Sequence, residues 1–270
     1  MTLRTAAMPA PHNRNGAVAM KKLIAANWKM YKTIDEARAT GRELVSAVAG
    51  SLPADREVLV CPPFTALHAL HDTFKDVEGF AIGGQDVYPA TEGAYTGEIA
   101  PGMLLDAGCG WVLTGHSERR HILGEDDETV ARKTAFSLKA GLRVVLCIGE
   151  KLDEREAGRL EDVLAHQLQV GLADVDATYV PQSLVVAYEP VWAIGTGKVA
   201  GPAEVVEAHA LVRSLLEARY GRDGAAIRIL YGGSVKPDNA AELLSLDNVD
   251  GLLVGGASLQ AVSFSRIILA

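Results

Sequence analysis

The residues best suited to chemistry each stand just past a short apolar run. Asn27 and Lys29 lie in Asn27-Trp28-Lys29-Met30, His116 and Glu118 in Gly115-His116-Ser117-Glu118, and Glu189 in Tyr188-Glu189-Pro190. Singly, each has an ordinary structural explanation: a solvated lysine, a turn histidine, a glutamate paired with an arginine. Together they supply a carboxylate base, an imidazole and a cation. Removing a proton next to a carbonyl requires a base on the carbon side and an electrophile at the oxygen, and this set provides both. Two further runs end in Gly232-Gly233-Ser234, ahead of a helix expected to open near Pro237, and in Gly255-Gly256. Main-chain N–H groups at such a turn or helix start can cradle an anion such as phosphate, although either pair read alone is equally a tight turn.

Bringing these residues together is the task of the elements that precede them. The apolar runs are Leu23 to Trp28, Val58 to Cys61, Phe80 to Gly83, Trp111 to Leu113, Val144 to Ile148, Leu184 to Tyr188, Ile227 to Tyr231 and Gly251 to Val254. Most are continuous, as expected of parallel strands covered on both faces. Amphipathic stretches lie between them. Thr33 with Glu36 forms a capping box, and Ile34, Ala37, Leu44, Val45 and Val48 then share one face. Leu160, Val163, Leu164, Leu168 and Leu172 form a second stripe; Val205, Ala208, Val212 and Leu215 form a third, opened by Pro202. Eight strand and helix units without a break in composition predict an α/β fold: a closed (β/α)8 barrel, a single domain spanning residues 20–270. The alternative, a doubly wound open sheet, requires a dinucleotide fingerprint after the first strand, where Asn27-Trp28-Lys29-Met30 stands instead. In a barrel, the C-terminal strand ends form one rim, so the residues named above converge there.

Composition narrows the function. The chain of 270 residues carries 26 Lys and Arg against 34 Asp and Glu, a net charge of −8, which disfavours a general nucleic-acid or anionic-membrane binder. Its three cysteines, Cys61, Cys109 and Cys147, lie in or beside apolar runs with no C-x-x-C spacing; a disulfide framework is not expected, and a cytoplasmic setting is. No apolar stretch has membrane-spanning length. Residues 1–19 lack periodicity and contain Pro9, Pro11 and Gly16; they read as a disordered extension, with a targeting peptide or a misassigned start as alternatives, and their removal leaves about 250 residues, one barrel's length. Gly195-Thr196-Gly197-Lys198-Val199-Ala200 mimics a dinucleotide motif, but it lies too far beyond Glu189 for a tight strand-to-helix turn; a lid from Pro190 to Ala200 is the better reading. His68 and His71 have metal-ligand spacing but no evident third ligand, so no metal is expected.

Six segments in order carry a resemblance: Asn27 to Met30, Gly115 to Arg120, Cys147-Ile148-Gly149-Glu150, Tyr188 to Gly197, Tyr231 to Val235 and Val254 to Leu259. From about Leu23 onward the chain resembles the triosephosphate isomerase family. That resemblance implies an isomerase of glycolysis and gluconeogenesis that interconverts dihydroxyacetone phosphate and D-glyceraldehyde 3-phosphate through an enediol, with no cofactor. It implies Glu189 as general base, His116 as neutral electrophile, Lys29 as electrostatic stabiliser and Asn27 as a further donor. Glu118 would position Lys29, and Gly195, Ser234, Gly255 and Gly256 would hold the phosphate. It also implies a cytoplasmic homodimer formed through the loop from Gly84 to Glu98, with Thr96 reaching the partner's site. Asp86 departs from the family, which usually has Asn there. Another phosphate-binding barrel enzyme, or a non-catalytic sugar-phosphate-binding protein, is the alternative; the second would be expected to have lost Lys29, His116 or Glu189.

Overall fold

The structure, a computed structural model, describes residues 20–193 and 200–270. The eight strands are β1 (Lys22–Asn27), β2 (Arg56–Cys61), β3 (Phe80–Gly84), β4 (Trp111–Thr114), β5 (Arg143–Ile148), β6 (Leu184–Tyr188), β7 (Arg228–Tyr231) and β8 (Gly251–Val254). Each pairs in parallel with its successor, and β8 pairs with β1, so the sheet closes into a barrel. The expected strands are all present. β1 ends one residue early, at Asn27, β7 begins one late, at Arg228, and several others extend by one or two residues.

Among the described residues the helices are α1 (Ile34–Val48), α2 (Leu67–Phe74), α3 (Pro101–Asp106), α4 (Ser117–His121), α5 (Asp127–Lys139), α6 (Leu152–Glu156), α7 (Leu160–Gly171), α8 (Pro202–Tyr220), α9 (Arg222–Ala225), α10 (Ala240–Ser245) and α11 (Ala261–Ile268). The Thr33–Glu36 capping box opens α1, and Pro202 occupies the first turn of α8, where a missing N–H costs nothing. Two expectations need correction. Ile34 is exposed rather than on the buried face of α1, because it lies in the first turn, before the helix settles against its neighbours. The helix expected near Pro237 begins at Ala240: the Asn239 side chain accepts from Lys236 N and donates to the Ser234 carbonyl, folding residues 234–239 as a turn first.

The continuous hydrophobicity of the strands reflects two separate cores. Leu23, Ala25, Leu59, Trp111, Leu113, Val145, Val185, Leu230 and Leu253 fill the barrel interior. Their strand neighbours, including Ile24, Val60, Val112, Val186 and Val254, face the helices. At the N-terminal mouth the Arg143 guanidinium lies 4.2 Å from the Trp111 ring centroid and Arg228 lies 5.5 Å from it, Arg228 also pairing with Glu57 at 2.9 Å. With that end plugged, the opposite rim is where a ligand can enter.

Candidate active site

A cavity of about 630 Å³ opens on the C-terminal rim. Asn27, Lys29, His116, Glu118, Glu189, Ser234, Gly255 and Gly256 all line it, as do Gly232 and Gly233. The expected phosphate contact Gly195 and most of the expected lid fall at residues 194–199, outside the described residues; Val191–Ala193 at the start of that segment form one turn of 3₁₀ helix. Every other predicted site residue is brought to this one concavity.

Glu189 follows β6 and is buried. Its Oε1 lies 3.0 Å from His116 Nε2, and its Oε2 accepts the Ser117 main-chain N–H at 2.9 Å. Burial alone pushes this carboxyl up, but His116, the Ser117 N–H and Lys29 outweigh it, and Glu189 is held below the usual glutamate range. It is therefore ionised at neutral pH and able to act as a base.

His116 caps α4, with its Nδ1 accepting the Glu118 N–H at 3.2 Å. An N–H cannot accept, so Nδ1 bears no proton, and the ring's single proton sits on Nε2, facing Glu189 and the cavity. The short α4 thus sets the tautomer of His116 through its own first turn. Glu118, two residues on, pairs with the Lys29 ammonium.

Lys29 occupies the left-handed region at φ 53°. For a residue with a Cβ this costs about 1–2 kcal/mol, and such strain concentrates at functional sites. Asn27 Oδ1 accepts the Lys29 N–H at 2.9 Å, turning the chain sharply after β1. Two glycines leave room for the Glu189 and Lys29 side chains. A Cβ at Gly232 would lie 2.9 Å from Glu189 Cγ, and one at Gly255 would lie 3.2 Å from Lys29 Cε. Gly256 and Ala257 open the 3₁₀ turn Gly256–Ser258 and line the cavity, and main-chain N–H groups at such a turn start are free to bind an anion.

The sequence reading missed three contributors. The Ser117 N–H anchors Glu189, but a main-chain donor leaves no trace in residue type. Glu150, fully buried, accepts from Tyr188 Oη at 3.0 Å and Trp192 Nε1 at 2.8 Å, bracketing Glu189 from behind; burial raises its pKa. Gln85, considered below, had no signal beyond its place after a strand. Cys147 lies beside Glu189, and burial together with that carboxylate lifts its thiol well above the ordinary range, so it packs as a neutral group. Of the remaining polar candidates, the His68 and His71 rings stack 6.5 Å apart, and among the described residues no group of three or more His, Cys, Asp or Glu could hold a metal. No described helix is long and apolar enough to cross a membrane.

Fold and site together define a (β/α)8-barrel enzyme whose C-terminal rim gathers a carboxylate, an imidazole and an ammonium around one cavity. The family model described as Triosephosphate isomerase matches residues 22–270, and the chain belongs to the triosephosphate isomerase family. It is accordingly an isomerase acting on triose phosphates. It is 68% identical over 251 residues to the triosephosphate isomerase of Nitratidesulfovibrio vulgaris, a match covering 93% of this chain and 100% of the relative. The relative from Oleidesulfovibrio alaskensis is 63% identical, with the same coverage. The crystal structure of triosephosphate isomerase from Bartonella henselae superposes with a TM-score of 0.83 at 40% identity, covering 92% of this chain and 98% of that one.

Proposed function

We propose that dihydroxyacetone phosphate and D-glyceraldehyde 3-phosphate interconvert at this rim through an enediol, with Glu189 as the base. The observation that carries this reading is the arrangement of the buried, ionised Glu189 carboxylate against the protonated Nε2 of a neutral His116. Glu189 removes the proton from the carbon next to the carbonyl and returns it to the neighbouring carbon. As it leaves the Ser117 N–H and His116 for the substrate it gives up the contacts that lower its pKa, and burial then makes it more basic. His116 Nε2–H is released to donate to the carbonyl oxygen and to pass protons between the two oxygens. Lys29 stabilises the charge developing there and attracts the phosphate dianion locally, against the net negative charge of the chain. Asn27 fixes the turn that presents Lys29, and Glu118 orients its ammonium. Ser234, Gly255 and Gly256 hold the phosphate, joined by Gly195 and the segment containing it as a lid over the bound substrate.

Shortening Glu189 tests the assignment. Glu189→Asp withdraws the carboxylate by about 1.5 Å, and a displacement of that order typically costs about a hundredfold. In a steady-state coupled assay kcat falls at least tenfold while the fold is retained; turnover near that of the wild type would remove Glu189 as the base.

We further propose a cytoplasmic homodimer built on the loop from Gly84 to Glu98. Thr96 and Tyr95 stand exposed on that loop, and Met30, beside Lys29, is 94% exposed, an unusual position for so apolar a side chain. Residues 20–270 are the working barrel in this reading, and residues 1–19 are dispensable for activity.

A further inference from the structure

Lys29 is held in its left-handed conformation from both sides of its own backbone. Asn27 takes its N–H, and Gln85 Nε2 donates to its carbonyl oxygen at 2.9 Å. The second hydrogen of the same Gln85 amide goes to the Cys61 carbonyl at 2.9 Å, an oxygen that also accepts the Trp28 N–H at 3.0 Å. Both neighbours of that nitrogen are carbonyl oxygens, which only accept, so chemistry fixes the orientation of the amide. Gln85, immediately after β3, thereby ties the end of that strand to the ends of β1 and β2. It does not line the cavity, whereas Lys29 does.

The next residue secures Gln85 in turn. Asp86 is buried and binds Arg119 at 2.9 Å and Lys133 at 2.7 Å, and both cations also pair with Glu125. Arg119 follows Glu118 in α4. The contacts therefore close a ring: from the Lys29 ammonium to Glu118, along α4 to Arg119, across to Asp86, and through Gln85 back to the Lys29 carbonyl. In this chain Asp86 places a carboxylate between the buried Lys133 and the half-buried Arg119, balancing their charge where an amide could not.

We infer that Gln85 is a positioning residue for the isomerisation, clamping the Lys29 main chain so that its ammonium meets the developing oxyanion and the phosphate. The inference rests on the electrostatic role given to Lys29 above, and a double-mutant cycle separates the two. Gln85→Met keeps the length of the side chain and removes both donors. Measured with D-glyceraldehyde 3-phosphate, it lowers kcat/KM at least tenfold when Lys29 is present and less than twofold in a Lys29→Met background. Affinity for glycerol 3-phosphate, a reduced analogue that cannot enolise, falls in the first background only. Equal losses in both backgrounds, or no loss with Lys29 present, overturn the inference while leaving Lys29 in place. Lys29→Met with near-normal kcat/KM overturns the reading of Lys29 itself, and the inference with it. Should Gln85→Met fail to fold by circular dichroism, Gln85→Asn, whose amide is withdrawn by one methylene, carries the same cycle with the same outcomes.

Discussion

His209 links the stability of this barrel to pH. It lies on α8, fully buried, with Nδ1 2.9 Å from the Asn248 carbonyl and its ring edge-on to Tyr188, the residue before Glu189, at 5.9 Å between centroids. A carbonyl only accepts, so Nδ1 carries the ring's one proton, and Nε2 is left buried without a partner among the described residues. Burial lowers the imidazole pKa to about 4, the Asn248 carbonyl offsetting only part of the effect. In the unfolded chain the same ring titrates near 6.5. The unfolded state therefore takes up the proton first, and the contribution of His209 to stability is complete above pH 6.5 and lost as pH falls toward 4. That gap, at about 1.36 kcal/mol per pH unit, amounts to about 3 kcal/mol. The assay is equilibrium urea unfolding at fixed protein concentration between pH 7 and pH 4, comparing the wild type with His209→Gln, which cannot titrate. Taking the difference cancels the carboxylates common to both proteins. The wild type should lose about 3 kcal/mol more than the variant across this range. Parallel stability curves would refute the claim that His209 is buried neutral.

Two further outcomes follow from the site. His116→Gln keeps a donor but cannot shuttle protons, so kcat falls at least tenfold while affinity for glycerol 3-phosphate is retained; loss of that affinity in a folded variant would make His116 chiefly a ligand contact. In sedimentation, the chain and a version beginning at Met20 should both run as dimers of equal specific activity, whereas a fully active monomer would count against the role given to the Gly84–Glu98 loop.

Much of this architecture was legible because it rests on simple patterning. Eight apolar runs became eight strands with end errors of one or two residues, and strand ends named the rim. The same continuity concealed which residues face inward: Ala25 and Ala26 look alike in sequence, yet one fills the barrel and the other meets the helices. Ile34 went astray because periodicity assigns a face before it is known where the helix first touches the core. At the site, charged and imidazole side chains were found because few such residues follow strands. The supports were not: the Ser117 N–H is common to any residue type, and Gln85 acts through an amide that only its neighbours' carbonyls reveal. The glycine pairs were read as anion cradles, and Gly232 and Gly255 prove also to clear space for Glu189 and Lys29.

The central claim is that Glu189 carries the proton between two carbons, and isotope exchange in D₂O reads it directly. A proton carried on Glu189 either reaches the neighbouring carbon as the substrate's own hydrogen or exchanges first and leaves deuterium there, and Glu189→Asp should slow both outcomes in step with isomerisation. Hydrogen transfer and deuterium incorporation both undiminished in the shortened variant would contradict the account.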